Sequence, residues 1–291
     1  MNIPDLFSVK GKKVLITGGG SGIGKMFAEG LVANGAHVIV ASRDLEKCEN
    51  TASKLNNNMA NHGGKCYGIG ADLSTYEGCE KLAHEASNIF GGELHGLINN
   101  TGKGWSQPLG EYNPKKFDDI ISLNVTAGFH LMQKCLPMLE KVGTPESPSS
   151  VINVGSVDGL KTPGIGNQSY SYSTSKTALM ALTKHLALQL GARNVTVNLI
   201  APGPFYTKGF ALNSIPAYQE MKQAEAEGRE VGQGKAEKRL INAIARSNPL
   251  KRLGQSFDAQ GAVIFLMSKA GSFVNGAILN LDGGSYIGSA M

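Results

Sequence analysis

Short runs of apolar residues alternate along the chain with longer stretches in which apolar residues recur every three or four positions. The short runs are typical of strands buried on both faces, and the longer stretches are typical of amphipathic helices. The predicted strands are residues 13–17, 37–41, 65–71, 94–98, 150–154, 194–200 and 277–281. The predicted helices are residues 25–33, 45–57, 76–90, 114–139 with a break near Asn124, 172–190 and 259–268.

Strands that alternate with helices pair in parallel through right-handed crossovers. The pattern therefore predicts an α/β fold, namely a single-domain Rossmann fold with a doubly wound seven-stranded parallel sheet and helices on both faces. No linker or composition shift marks a boundary, so residues 1–291 are expected to form one domain. The long polar segment 209–247 follows a strand end, where ligands bind in such sheets, and is predicted to be a substrate lid. A surface elaboration or an oligomer contact is the alternative.

Charge and cysteine content narrow the function classes. The formal net charge is +5, and the basic residues are spread along the chain, so no nucleic-acid partner is expected. The four cysteines have neither CxxC nor zinc-like spacing, which predicts free thiols in a reducing compartment and no metal site. No apolar run is long enough to cross a bilayer, so we expect a cytoplasmic protein without a membrane partner.

A glycine-rich segment, residues 17–24, joins the first strand to the first helix. Glycines allow a tight turn and a close approach to a pyrophosphate, and the helix N-terminus adds partial positive charge. In this position the segment predicts a dinucleotide-binding loop, with a structural glycine turn as the lesser alternative. The predicted cofactor contacts in this loop are Gly18, Gly20, Ser21, Gly22, Ile23 and Gly24.

The end of the second strand carries Ser42 and Arg43. A site selective for NAD usually places a carboxylate here, on the ribose 2′-hydroxyl. A guanidinium instead pairs with a 2′-phosphate through two charge-assisted hydrogen bonds. The pattern therefore predicts NADP(H) as the cofactor. The alternative is that Arg43 is an ordinary surface arginine. The nearby Asp44 is a carboxylate and argues against a 2′-phosphate at this position.

Over residues 9–284 the chain resembles the short-chain dehydrogenase/reductase family, and within it the 3-oxoacyl-acyl-carrier-protein reductases of the rhamnolipid-pathway type. Besides the glycine loop, the resemblance rests on motifs at residues 72–73, 99–102, 123–126, 154–157, 172–176, 201–207, 248–254 and 281–284. The subgroup rests on residues 169–179 and 202–205. Thr101 departs from the small alanine of the family motif.

The resemblance implies an enzyme, an NADPH-dependent carbonyl reductase that interconverts a ketone and a secondary alcohol. Its substrate would be a 3-oxoacyl thioester or a related ketone, and it would form a homo-oligomer, either a dimer or a tetramer. The implied catalytic residues are Asn124, Ser156, Tyr172 and Lys176. The implied cofactor contacts beyond the glycine loop are Ser42, Arg43, Asp72, Leu73, Asn99, Thr101, Gly102, Tyr172, Lys176, Pro202, Gly203, Phe205 and Thr207.

Tyr172 and Lys176 are four residues apart and so project from one face of a helix. A neighbouring ammonium is expected to lower the phenol pKa toward the working range, so that Tyr172 can give its proton to the carbonyl oxygen. Ser156 would hold that carbonyl, Lys176 would also bind the nicotinamide ribose, and by resemblance Asn124 would hold a water linked to Lys176. Tyr170 has no lysine four residues on, which predicts a pocket or packing role.

Two other functions remain open. The chain could be a non-catalytic NADP-binding regulatory or scaffold protein, although such proteins often lose the tyrosine or the lysine. It could also be an epimerase or dehydratase of the same fold with tightly held cofactor, although those enzymes usually carry a separate substrate domain. Trp105 is predicted with equal weight to line the pocket or to pack within its loop.

Overall fold

The computed structural model of the chain describes residues 2–59, 62–161, 168–205, 207 and 248–287. The predicted lid, residues 209–247, lies outside the described residues, and its role stays a prediction. The strands are β1 (Lys13–Thr17), β2 (His37–Ser42), β3 (Lys65–Gly70), β4 (Gly96–Asn99), β5 (Ser149–Val154), β6 (Val195–Pro202) and β7 (Ile278–Leu281). The described α-helices are α1 (Ile3–Leu6), α2 (Gly22–Ala33), α3 (Leu45–Asn58), α4 (Tyr76–Phe90), α5 (Pro114–Ile121), α6 (Ala127–Val142), α7 (Tyr170–Leu190) and α8 (Ser256–Met267).

The seven strands form one sheet in the order β3-β2-β1-β4-β5-β6-β7, and every neighbouring pair is parallel. This confirms the predicted doubly wound fold. Strands β1 to β3 are added in one direction across the sheet, and β4 then pairs with the opposite edge of β1. The carboxyl ends of β1 and β4 therefore diverge into helices on opposite faces, which opens a crevice at the point where the order reverses.

Alternate side chains of each central strand fill two hydrophobic layers. In β1, Val14 and Ile16 pack with Phe27 of α2 and Val263 of α8. Leu15, between them, packs on the opposite face against the layer formed by α4 and α6. Because each of these side chains is fully buried, each contributes about 1.5–3 kcal/mol to folding before entropy is counted. The two layers hold the strand ends in fixed register under the crevice.

The break predicted near Asn124 is a π-helical turn over Ser122–Thr126 that joins α5 to α6 without ending the helix. Turns of this kind are rare and occur often at functional sites. Asn124 is buried in this turn, on the side of the carboxyl ends of the strands.

The four cysteines, Cys48, Cys66, Cys79 and Cys135, are free, as expected from their spacing, and all four are buried. Among the helices of the described residues, none has both the length and the apolar character needed to cross a membrane.

Candidate active site

A cavity of about 760 Å³ lies at the carboxyl ends of the strands, lined by segments that follow β1 to β6 and by the start of α7. Most of the residues predicted from the sequence line it. They are Gly18, Gly20, Ser21, Gly22, Ile23, Ser42, Arg43, Asp72, Leu73, Thr101, Gly102, Ser156, Tyr172, Lys176, Pro202, Gly203, Phe205 and Thr207. Three predicted residues, Gly24, Asn99 and Asn124, do not line the cavity.

The glycine loop is held against the loop after β4 by Asn100. Its side-chain amide donates to the carbonyl oxygens of Thr17 at 2.9 Å and of Gly18 at 3.2 Å. Gly18 has a φ of +66°, a conformation that favours glycine. A Cβ on Gly24 would collide with the Asn100 side chain and the Gly18 carbonyl oxygen, so Gly24 allows the close approach of α2 to the glycine loop and to Asn100.

The N-terminus of α2 opens onto the cavity. Ser21 is the N-cap residue in an extended conformation, and within the described structure its hydroxyl makes no capping hydrogen bond. The first N–H groups of α2 therefore lack the side-chain acceptor that usually satisfies them. Together with the helix dipole, these donors suit an anion such as a pyrophosphate.

The buried hydroxyl of Thr101 has no hydrogen-bond partner among the described residues. It lies beside the glycine loop, 3.3 Å from where a Cβ on Gly18 would stand. Unpaired buried polar groups are uncommon in folded proteins and often mark a position where a ligand or water binds. The departure from alanine at this position therefore adds a polar contact point to the cavity wall.

Two cations flank the cavity at the end of β2. Arg43 is exposed at the rim, and Lys47, in the first turn of α3, lines the same region. The carboxylate of Asp44 accepts a hydrogen bond of 3.0 Å from the backbone N–H of Lys47 and so caps α3. Because Asp44 is engaged in the cap, this end of the cavity suits a phosphate better than a free ribose hydroxyl.

Asp72 lines the same cavity as these cations. Its carboxylate accepts hydrogen bonds from the backbone N–H and the hydroxyl of Ser74, and these bonds, with a smaller effect of Arg43, lower its pKa. The carboxylate is therefore held in its charged form and in one orientation, next to Leu73, on the cavity wall.

Three of the predicted catalytic groups meet at the end of β5. Tyr172 and Lys176 come from one face of α7, and Ser156 follows β5 and hydrogen-bonds to the Tyr172 phenol. The Lys176 ammonium donates a 2.7 Å hydrogen bond to the carbonyl oxygen of Val154 and lies 5.7 Å from the centre of the Tyr172 ring. This is the arrangement expected for a phenolic acid supported by a serine and a cation.

Burial is the largest influence on the pKa values of Tyr172 and Lys176. It raises the pKa of Tyr172 to about 12; the hydrogen bond from Ser156 opposes the rise and the charge of Asp158 adds to it. Burial also lowers the pKa of Lys176 to about 8. The prediction that the Lys176 ammonium lowers the pKa of the Tyr172 phenol is therefore wrong, because desolvation of the phenolate is the larger effect.

Asn124 connects the loop after β4 to α7 through hydrogen bonds. Its amide oxygen accepts from the backbone N–H of Lys103 at 2.8 Å, and its amide nitrogen donates to the Lys103 carbonyl and to the Ser175 hydroxyl. A Cβ on Gly102 would lie 3.4 Å from the Asn124 amide oxygen and 3.3 Å from the Lys176 ammonium nitrogen, so both groups border the same small space. The water predicted to join them stays a prediction.

Asn99 lies behind the cavity in a buried network. It donates to the amide oxygen of Asn153 at 3.0 Å, and Asn153 donates to the Thr183 hydroxyl at 2.9 Å. The network joins β4, β5 and α7 and so fixes the strand that carries Thr101 relative to the helix that carries Tyr172.

Tyr170 and Trp105 pack away from the cavity. The Tyr170 ring is edge-on to Tyr112 with centroids 5.5 Å apart, and it does not line the cavity. The Trp105 indole N–H donates to the side chain of Gln107, and Lys116 lies over its ring. For both residues the packing interpretation agrees with the structure.

Five polar or charged side chains on the cavity wall were not predicted as site residues: Asp44, Lys47, Asn100, Lys103 and Asp158. Each follows a predicted site residue by one to four positions, which is a usable signal. Their side-chain directions depend on the turns after the strands, and the hydrophobic pattern does not specify those turns.

Comparison with protein families agrees with this geometry. The profile described as short chain dehydrogenase matches residues 12–214. A second profile, described as enoyl-(acyl carrier protein) reductase, matches residues 228–286. The chain is 34% identical over 281 residues to the rhamnolipids biosynthesis 3-oxoacyl-[acyl-carrier-protein] reductase of Pseudomonas aeruginosa, with 97% of this chain and 98% of that protein covered.

Two solved structures show the same fold. The chain superposes on the P. aeruginosa RhlG/NADP active-site complex with a TM-score of 0.82 and 33% identity, covering 99% of this chain and 100% of the other. It superposes on L-sorbose reductase from Gluconobacter frateurii, complexed with NADPH and L-sorbose, with a TM-score of 0.82 and 26% identity, covering 97% and 99% of the two chains.

Proposed function

The chain belongs to the short-chain dehydrogenase/reductase family, and from that premise we propose that it is an NADPH-dependent ketone reductase that forms secondary alcohols. The single observation that carries the proposal is the cluster at the end of β5. There the phenol of Tyr172 is hydrogen-bonded to Ser156, with the Lys176 ammonium close to its ring, on the wall of a cavity large enough for a dinucleotide.

The donor set of the cavity fits NADP(H). The open N-terminus of α2 would bind the pyrophosphate, and Arg43 and Lys47 would bind the 2′-phosphate. The unpaired Thr101 hydroxyl offers one more polar contact along the same wall. The nicotinamide end would lie among Pro202, Gly203, Phe205, Thr207, Tyr172 and Lys176, with the adenine near Asp72 and Leu73.

A bound nicotinamide would supply the hydride that reduces the carbonyl carbon. The Ser156 hydroxyl would donate a hydrogen bond to the carbonyl oxygen and polarise it. Tyr172, whose pKa of about 12 keeps it protonated at neutral pH, would give its proton to that oxygen. The nearby Lys176 ammonium would stabilise the phenolate that remains until a proton from solvent replaces the one given up.

The proposed substrate is a 3-oxoacyl thioester or a related ketone. Similarity to the P. aeruginosa 3-oxoacyl reductase supports the thioester, and similarity to a sorbose reductase supports a wider range of ketones. Both are proteins of nearly the same length as this chain, so the shared region includes the whole catalytic unit.

NADPH oxidation with a panel of β-keto thioesters, β-keto esters, cyclic ketones and quinones tests the proposal. We expect at least one class to give NADPH consumption with an equal amount of secondary alcohol. An epimerase or dehydratase would convert its substrate without net NADPH consumption. A scaffold protein would bind NADPH, seen as a change in its fluorescence, and reduce none of the ketones. Either result would overturn the reductase.

A further inference from the structure

A carboxylate that the proposed mechanism does not use lies next to the reacting groups. Asp158 is the middle residue of the 3₁₀ turn Val157–Gly159, two residues after Ser156, and it lines the same cavity as Tyr172. Its backbone N–H donates a 3.1 Å hydrogen bond to the Ser156 hydroxyl. This bond ties the backbone of Asp158 to the Ser156 side chain, so the Asp158 carboxylate starts from a backbone position close to the carbonyl oxygen that Ser156 would hold.

Within the part of the chain that the structure describes, no donor reaches the Asp158 carboxylate by a hydrogen bond. Lys161 is close enough to exert some attraction on it, but the Lys161 ammonium donates to the carbonyl oxygen of Ser285 at 2.9 Å. Asp158 is half-buried, and burial raises its pKa more than Lys161 lowers it. A half-buried carboxylate has acceptor sites for several hydrogen bonds and is destabilised when they are unfilled.

The charge of Asp158 also acts on the Tyr172 phenol, whose pKa it helps to raise. Asp158 and Tyr172 both line the cavity in which the ketone would bind. A ligand group next to the Asp158 carboxylate would meet an acceptor with no competing donor from the described residues.

We propose that Asp158 is a specificity residue whose carboxylate accepts a hydrogen bond from a hydroxyl or N–H donor carried by the substrate close to its ketone carbonyl. The inference rests on the proposed function, since Ser156 and Tyr172 must hold the carbonyl oxygen for the donor to reach Asp158. The inference predicts that ketones with a hydroxyl or N–H group next to the carbonyl are better substrates than ketones without one.

A matched pair of ketones tests this assignment. In 2-hydroxycyclohexanone and 2-methylcyclohexanone a hydroxyl and a methyl group of similar size occupy the same position. A hydrogen bond to a charged acceptor corresponds to roughly a 10- to 100-fold preference. We therefore expect kcat/KM of the wild-type protein with NADPH to favour the hydroxyketone by about 10-fold or more. In Asp158→Ala the ratio should fall to about 1, and in Asp158→Asn, whose amide oxygen still accepts, it should stay intermediate.

Asp44→Asn is the matched control, because Asp44 is a second carboxylate that lines the cavity, at the end of β2, and asparagine also caps helices. It should leave the ratio of the two kcat/KM values unchanged. If wild type reduces both ketones equally, or if Asp158→Ala keeps the wild-type ratio, the specificity role is overturned while the reductase stands. If Asp158→Ala only lowers the melting temperature, the carboxylate pairs with another part of the chain, and the role is likewise overturned.

A binding measurement keeps the assignment testable without turnover. In the presence of NADP⁺, 1,2-cyclohexanediol should raise the melting temperature of the wild-type protein more than 2-methylcyclohexanol does. Asp158→Ala should abolish the difference. Equal effects of the diol and the methyl alcohol on wild type would overturn the assignment, whereas failure to reduce any ketone in the wider panel would overturn the proposed function instead.

Discussion

The ammonium group of Lys176 donates a 2.7 Å hydrogen bond to the carbonyl oxygen of Val154. The bond ties the first half of α7 to the last residue of β5, two positions before Ser156. Lys176 is almost fully buried, and burial lowers its pKa to about 8. The protein therefore keeps a cation beside its phenol at a cost in folding stability that changes with pH.

We expect Lys176→Met to change that pH dependence. The pKa falls from 10.5 to about 8 on folding, so folding disfavours the ammonium as pH falls below 10.5, and the full penalty is present below pH 8. At 1.36 kcal/mol per pKa unit, the free energy of unfolding of wild type should fall by about 3 kcal/mol relative to that of Lys176→Met as the pH is lowered from 10.5 to 7. Urea unfolding followed by circular dichroism across this range measures the difference.

Lys184→Met is the control for this experiment, because Lys184 is exposed on the same helix. Its stability relative to wild type should not follow the trend of Lys176→Met. If the two variants show the same pH dependence, the buried ammonium does not carry the penalty.

Tyr172 and Tyr170 form a matched pair for identifying the proton donor. Tyr172→Phe should lower kcat for ketone reduction by about 100-fold or more while NADPH binding persists, because the ring stays and only the proton donor is removed. Tyr170→Phe should keep substantial activity, since that ring packs against Tyr112 outside the cavity. Steady-state kinetics and fluorescence titration with NADPH measure the two effects, and the reverse pattern would reassign the acid to Tyr170.

Arg43 should decide between NADPH and NADH. Charge-assisted hydrogen bonds to the 2′-phosphate correspond to roughly 1.5–3 kcal/mol, so Arg43→Ala should weaken NADPH by about 10- to 100-fold and leave NADH nearly unchanged. Ser42→Asp combined with Arg43→Ala should move the preference toward NADH. Arg193→Ala, which removes a surface arginine paired with Glu140, is the control. Equal weakening of both cofactors by Arg43→Ala would contradict the assignment.

The strands and helices could be predicted because burial on both faces of a sheet leaves a pattern visible in any short window of sequence. The helix ends were less certain: α2 and α8 each begin three residues before the predicted start, in turns that contain polar residues or glycine. Tyr172 and Lys176 lie on one face of α7 as expected, because spacing on a helix is a local property, and their catalytic role stays a prediction. The pKa of Tyr172 was not predicted correctly, since burial depends on everything that packs around the ring.

Residues in the turns after the strands were the hardest to predict. Asp158 and Lys47 reach the cavity because of a 3₁₀ turn and a helix start, respectively, and neither geometry follows from hydrophobic periodicity. Asn99 was expected at the cofactor; it lies in a buried hydrogen-bond network outside the cavity lining, and its contact with the cofactor stays a prediction. A motif identifies the segment that approaches a ligand, and packing then decides which of its side chains faces that ligand.

The predicted homo-oligomer has a candidate surface on α7. Leu188 is 77% exposed and Ala181 is also exposed, although Leu179, Ala187 and Leu190 on the same helix are buried. We expect sedimentation equilibrium at micromolar concentration to show a dimer or a tetramer. The double variant Ala181→Arg, Leu188→Lys should lower the observed mass if this face forms the contact. A monomeric wild type would refute the oligomer.

The π turn over Ser122–Thr126 rotates α6 about the common helix axis relative to α5. Each residue of an α-helix advances the rotation by about 100°, and a π turn takes up one extra residue. That extra residue allows Asn124 to meet the backbone of Lys103 while Leu131 and Cys135 face the sheet. Deleting any one residue of the turn would preserve the helix content and rotate α6 by roughly 100° relative to α5. The position of Asn124 therefore depends on the number of residues in this stretch as well as on the side chain at position 124.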